Sequence, residues 1–207
     1  MKTIAVIGAG GKSGQTFVKA ALAAGHTVKS GVHRTNPFTP QERLEVYTID
    51  ATHPEDIAEL LHDCDTVVSL IGHTKGSPKR VQTDAMKVIT TEMKKQSIAK
   101  VISLTGTGVR FPGDIISLAD KMMNWPIALI DPNRIQDGIE HAEVLKDSGL
   151  EWSIVRVLKL TNQSPNRFTL TSGGPGKLFV PRAEVACAIL DILASSEYSQ
   201  KAPVISR

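Results

Sequence analysis

The order of predicted elements points to a doubly wound α/β fold with a mainly parallel sheet and a small C-terminal extension on the substrate side. Three observations carry that expectation. An apolar, β-branched run, Thr3-Ile4-Ala5-Val6-Ile7, leads into a glycine-rich turn, Gly8 to Gly14, and then into a helical pattern. Strand-like and helix-like stretches then alternate along the chain, which implies right-handed crossovers and parallel strands. Finally, the residues that carry chemistry fall at the carboxyl ends of those strands, where ligands bind in such sheets.

The elements follow in order. Phe17, Ala20, Ala21 and Ala24 give the first helix its apolar face, and Gly25 ends it. Thr27 to Val32 is the second strand, and Asn36 to Pro40, with its two prolines, is a loop. Leu44 to Ile49 is the third strand, whose imperfect alternation suggests cover on both faces. Thr52 is placed to cap the helix that His53-Pro54-Glu55-Asp56 opens, with Ile57, Leu60 and Leu61 as its stripe. Thr66 to Gly72 is a fourth buried strand, Lys79 to Gln96 a long amphipathic helix, and Val101 to Leu104 a fifth strand.

Phe111-Pro112-Gly113 reads as a turn, Ile115 to Trp125 as a helix stopped by Pro126, and Pro132 to Ser148 as a helix with Gly149 past its end. Trp152 to Val157 is a sixth strand. Phe168 to Leu170 and Lys177 to Val180, around Ser172-Gly173-Gly174-Pro175-Gly176, read as a hairpin or paired segments. Pro181 opens the last helix, and Pro203-Val204-Ile205 adds a final strand.

Size and composition bound the function. With 207 residues, 41% apolar and 22% charged, the chain is expected to form a single globular domain over 1–207. No run is long and apolar enough to cross a membrane. Met1-Lys2-Thr3 enters a strand directly, so no signal peptide is expected and the setting is cytoplasmic. Cys64 and Cys187 cannot make a metal site by themselves, and the aspartates beside Cys64 are expected to raise its thiol pKa. A net charge of +3, with no basic cluster interleaved with aromatics, argues against nucleic acid. The charge is uneven, however: Met1 to Gln41 contains no Asp or Glu, but does contain Lys2, Lys12, Lys19, Lys29 and Arg34. A basic first quarter around a glycine turn suggests an anionic ligand.

The turn is the candidate phosphate site. The first N–H groups of the following helix lack partners inside it and, with the helix dipole, suit a pyrophosphate. Gly8-x-Gly10 begins one dinucleotide fingerprint, but Ser13 takes the place of its third glycine, whereas Gly8-x-x-Gly11-x-x-Gly14 fits a second spacing at every position. Gly11-Lys12-Ser13 is not the end of a triphosphate P-loop, because Val6 stands where that motif needs a glycine. Lys12 and Ser13 join the glycines as candidate cofactor-binding residues.

About twenty residues on, where an NAD site places Asp or Glu, the chain has Arg34 between His33 and Thr35. An arginine fork matches a 2′-phosphate, so NADP is expected over NAD, the alternative being a solvated surface arginine. Asp50 and its neighbour Ala51 are placed to reach an adenine, although a turn-forming Asp would read the same way. Gly72 lets a cofactor pass the end of the fourth strand, while Thr105 and Val157 end the fifth and sixth. His73, Thr74 and Lys75 follow Gly72 in a loop, where contact with substrate and simple solvation are both open. Arg156 and Lys159, at the end of the sixth strand, could attract an anionic acceptor or simply form salt bridges.

Taken together, these residues resemble the atypical short-chain dehydrogenase/reductases, the NAD(P)-binding, Rossmann-type group that includes NmrA-like proteins and biliverdin reductase B, also a flavin reductase. The resemblance rests on Gly8/Gly11/Gly14, Arg34, Asp50, Asp65-Thr66-Val67-Val68, the stretch His141 to Arg156, and Pro181-Arg182-Ala183-Glu184-Val185-Ala186. It implies an NADPH-dependent oxidoreductase acting on a flavin, quinone or similar small-molecule acceptor, or alternatively an NADP-binding sensor or regulator without turnover.

The larger family uses a Tyr with a Lys four residues later as its acid/base pair. Here the only tyrosines, Tyr47 and Tyr198, are followed at that spacing by Ala51 and Ala202, and the place of the pair falls near Arg134 and Gly138. In this resemblance biliverdin reductase B also lacks the pair and has a serine just after the fifth strand; the corresponding place here is near Gly106, with Thr105 and Thr107 beside it. Thr105, Thr107 and His73 are therefore the candidate catalytic residues.

Overall fold

The computed structural model describes residues 1–74, 76–115, 117–118, 121–122, 125 and 131–206. Five strands and their crossovers come first: β1 (Thr3–Ile7), α1 (Lys12–Ala23), β2 (Thr27–Val32), β3 (Leu44–Thr48), α2 (Pro54–Leu61), β4 (Thr66–Ser69), α3 (Val81–Lys95) and β5 (Lys100–Gly106). After them come α4 (Pro132–Asp147), β6 (Glu151–Val157), β7 (Lys159–Thr161), β8 (Thr169–Thr171), β9 (Phe179–Pro181), α5 (Arg182–Ala194) and β10 (Val204–Ser206).

The main sheet has eight strands in the order β3-β2-β1-β4-β5-β6-β10-β8, and all neighbours are parallel except β10 and β8. This is the doubly wound, mainly parallel fold the sequence predicts. The strand order reverses between β1 and β4, which opens a crevice at their carboxyl ends.

Helices cover both faces. Phe17, Val18 and Ala21 of α1 pack with Val185, Ile189 and Ile192 of α5 on one side. Ile57 and Leu60 of α2, Met86 and Met93 of α3, and Ala142 and Leu145 of α4 fill the other. The continuous burial of β1, β4 and β6 follows from this double cover, because a parallel strand has no face for water. Strand β3 differs from the expectation: it is the sheet edge, its pairs run only to β2, and Glu45 and Thr48 are exposed. Its imperfect alternation reflects an uncovered edge, not double cover.

Two local expectations are corrected. Thr52 does not cap α2; its hydroxyl donates to Asp50 Oδ1 at 2.7 Å, and His53 occupies the cap without a side-chain bond. The segments around Ser172 to Gly176 do not pair with each other. β8 pairs antiparallel with β10, and β9 pairs parallel with β7. The C-terminal region thus extends the main sheet and adds a two-stranded ribbon. Five of the eleven residues of the expected helix Ile115 to Trp125 lie outside the described residues, as does Lys75. Among the described residues no helix is long and apolar enough to cross a membrane, and no cluster of His, Cys, Asp or Glu could hold a metal ion.

Candidate functional site

The glycine turn joins β1 to α1, and its glycines have different physical reasons. Gly8 has φ +79, and a Cβ there would stand 2.9 Å from the Leu70 carbonyl carbon, so the turn lies against the end of β4. A Cβ at Gly14 would collide with Gly8 O and Ala9 Cα, so this glycine lets α1 press onto the turn. Gly11 is demanded by neither effect: its φ is negative, and a Cβ would meet only Gly8 O, at 3.5 Å.

Gly11 is the N-cap of α1, with no side-chain cap bond and no acidic residue in the first turn. The helix end is left bare at the crevice, with Lys12 exposed and Ser13 half-buried. An uncapped, positively polarised helix end beside an open glycine fits a pyrophosphate.

The end of β2 is tied to the same turn. Ala9 N donates to Gly31 O at 3.0 Å, and Thr35 O would lie 3.6 Å from a Cβ on Gly10. Between these contacts Arg34 is exposed and makes no hydrogen bond or ion pair among the described residues. At the end of β3, Asp50 Oδ1 accepts from Thr52 N and Thr52 Oγ1; the hydroxyl bond and then the backbone bond hold its carboxyl below the ordinary value. Asp50 is therefore a turn-forming residue in this structure, with Ala51 half-buried beside it.

On the β4 side Gly72 is exposed, and a Cβ there would meet nothing within 4 Å. Thr105 lies inside β5 and not after it; it is buried, and its hydroxyl makes no hydrogen bond among the described residues. Thr107 is buried, its N–H donating to Val157 O at 3.0 Å. In α4, a Cβ on Gly138 would stand 2.6 Å from Val109 Cγ2 and 2.9 Å from Thr105 Oγ1. A side chain there would require Val109 and Thr105 to shift. Tyr47 donates to Glu45 on the β3 edge and Tyr198 to Leu170 O, both away from the crevice.

The residue that sequence reasoning missed is Asp137. Its buried carboxylate accepts from His73 Nε2 at 2.8 Å, Gln82 N at 2.9 Å, Thr83 N at 2.9 Å and Thr83 Oγ1 at 2.6 Å. Burial pushes this carboxyl up, but these bonds outweigh it and hold the group below the ordinary range. One acid on α4 thus caps α3 and fixes the His73 ring. Gln82 Nε2 also donates to Ile71 O at 2.8 Å, bracing the end of β4. No local pattern signals this, because the partners lie 54 to 64 residues from Asp137.

The two sequence candidates near the end of β6 differ: Arg156 is committed within the protein, whereas Lys159 is exposed. Arg156 is 2% exposed; it grips both oxygens of Asp114 at 2.5 and 2.7 Å and donates to Val109 O and Ala202 O. It is the salt-bridged alternative of its two readings. Lys159 lies over the Phe179 ring, 5.4 Å from its centroid. Cys64 has its thiol pushed up to about 11, mainly by burial and only secondarily by the neighbouring aspartates.

Comparisons with known proteins bear on the family and the fold. The NAD(P)H-binding family profile matches residues 8–196. The fold is shared with a short-chain dehydrogenase/reductase from Veillonella parvula DSM 2008 in complex with NADP, at 19% identity and TM-score 0.83, covering 100% of this chain and 94% of that one. It is shared with the oxidoreductase ylbE from Lactococcus lactis at 13% identity and TM-score 0.80, over 99% and 90%. ChuY from Escherichia coli O157:H7, an anaerobillin reductase, matches at 19% identity and TM-score 0.75, over 99% and 96%.

Proposed function

Because the chain belongs to the NAD(P)H-binding family, we propose that it is an NADPH-dependent oxidoreductase passing a hydride to a flavin, a quinone or a similar planar acceptor. The observation that carries this reading is the bare α1 end lying beside an exposed, unengaged Arg34. At the level of fold, support comes from the Veillonella parvula structure with its NADP and from ChuY, a reductase. We take residues 1–207 to act as one domain in the cytoplasm.

Bound NADPH supplies the hydride. The chain's residues position the partners. The N–H groups of Lys12 and Ser13, with Gly8, Gly11 and Gly14 around them, hold the pyrophosphate. Arg34 takes the 2′-phosphate as a fork. Asp50 and Ala51 border the adenine, while Gly72 and Val157 leave room at their strand ends. Thr105 and Thr107 orient the nicotinamide or the acceptor. The acceptor gains the hydride and one proton, and a flavin or quinone takes that proton from solvent. His73 would serve an acceptor needing a placed donor only in its doubly protonated form: Asp137 holds the proton on Nε2, and the proton to be passed on would sit on Nδ1, which makes no hydrogen bond among the described residues.

The experiment follows loss of the reduced-nicotinamide absorbance across flavins, quinones and simple carbonyls. Oxidation with flavins or quinones that survives His73→Asn supports the reading. Turnover of simple ketones alone, abolished by His73→Asn, would replace it with a carbonyl reductase. A second reading, an NADP-binding redox sensor of the NmrA-like type, is favoured by Arg134 and Gly138 standing where the acid/base pair would be. Tight NADPH binding without oxidation by any acceptor would select it.

A further inference from the structure

The loop after β4 and the start of α4 enclose a polar pocket of about 310 Å³ on the same edge of the sheet as the glycine turn. His73 lies on its wall. Arg134 and Lys79 also line it, and Asp131 is the one acid among the lining residues.

The guanidinium of Arg134 is nearly unengaged. Among the described residues its acceptors are His73 O at 3.5 Å and Asp131 Oδ2 at 3.6 Å, at or beyond the limit of a hydrogen bond. Its side chain is 51% exposed. Lys79 is exposed and has no ion pair among the described residues. Two cations therefore face one weakly held acid. The larger groove of about 610 Å³ between α3 and α4 makes a useful contrast: its Arg80 is paired to Glu140 at 2.7 Å, and Glu143 and Asp147 balance Lys87 and Lys94. That groove has no excess charge to satisfy.

We infer that the pocket beside His73 binds an anionic group, phosphate or carboxylate, of the acceptor, and that Arg134 makes the protein selective for anionic acceptors. A planar fork with a nearby ammonium suits either group, and neither cation has a better partner among the described residues. The inference rests on the oxidoreductase reading, yet it is testable by binding alone.

FMN and riboflavin share one ring system and differ by a phosphate, and a naphthoquinone with and without a sulfonate gives a second such pair. Titration of NADP-loaded protein, followed by flavin fluorescence quenching or by calorimetry for the quinones, should show each anionic member binding at least about tenfold tighter than its neutral twin. Arg134→Gln should erase that preference while leaving the neutral member and NADPH unchanged, and Asp131→Asn should strengthen FMN binding. Equal affinity within both pairs, no binding of either anionic acceptor, or an Arg134→Gln loss that falls on NADPH overturns the inference; the last would assign Arg134 to a cofactor phosphate. The anion preference without any NADPH oxidation would leave this site standing and remove the oxidoreductase reading.

Discussion

The two flanks of the switch point use arginine in opposite ways. Beyond β2, Arg34 is exposed and unengaged among the described residues; near the end of β6, Arg156 is buried with its guanidinium bonded to Asp114, Val109 O and Ala202 O. Both lie near the carboxyl end of a parallel strand, and both invite an anionic ligand when read in sequence. What separates them is desolvation. A buried guanidinium must be matched within the protein or it destabilises the fold, whereas an exposed one keeps its donors for a ligand. A basic residue at a strand end marks a site only when its donors are left unengaged.

The comparison breaks most readily at Arg156. Arg156→Ala leaves the Asp114 carboxylate buried without its partner and should cost about 3–5 kcal/mol in urea denaturation. Arg34→Ala should stay within about 0.5 kcal/mol of wild type. Similar losses for the two would end the distinction.

A second buried base sharpens it. His141 is 2% exposed, its Nδ1 has no partner among the described residues, and burial lowers its pKa to about 4. Below pH 6.5 the unfolded chain binds this proton and the folded chain does not. The contribution is therefore full above about 6.5 and is lost as pH falls toward about 4, by up to about 1.4 kcal/mol per pH unit. Asp114 and Asp137, held below the ordinary carboxylate value, lose their contributions only at lower pH. His141→Leu should flatten the loss between pH 6.5 and 4; an unchanged slope would refute the assignment.

The glycine turn offers a smaller effect. Gly14→Ala forces a Cβ into backbone and should cost about 1–3 kcal/mol. Gly11→Ala should change stability by a few tenths of a kcal/mol, the difference between Gly and Ala at a helix cap, while weakening NADPH binding. Equal thermal shifts for the two would contradict their different roles. Thr105→Val is expected to do least. Its effect on turnover should fall well short of the roughly 100-fold loss that removing a proton donor causes.

Local chemistry explains what the sequence made legible. Gly8 and Gly14 answer to a positive φ and a backbone contact within seven residues of each other, so their spacing alone announces the turn. The strand–helix alternation is equally local, and it places Arg34, Gly72 and Thr105 along one edge of the sheet. Asp137 was not legible, because its role depends on donors that the folded sheet brings from α3 and the β4 loop. The misread hairpin has the same cause. Ser172 to Gly176 has turn chemistry, but β8 finds its partner in β10, at the far end of the chain.

The most direct test is a fluorescence titration of NADPH and NADH against wild type and Arg34→Ala. The account predicts tighter binding of NADPH, and a loss of one charged hydrogen bond, about 1.5–3 kcal/mol, on removing the guanidinium. That is about tenfold or more for NADPH, with little change for NADH. Equal losses for both cofactors, or wild-type protein that binds NADH as tightly as NADPH, would contradict it.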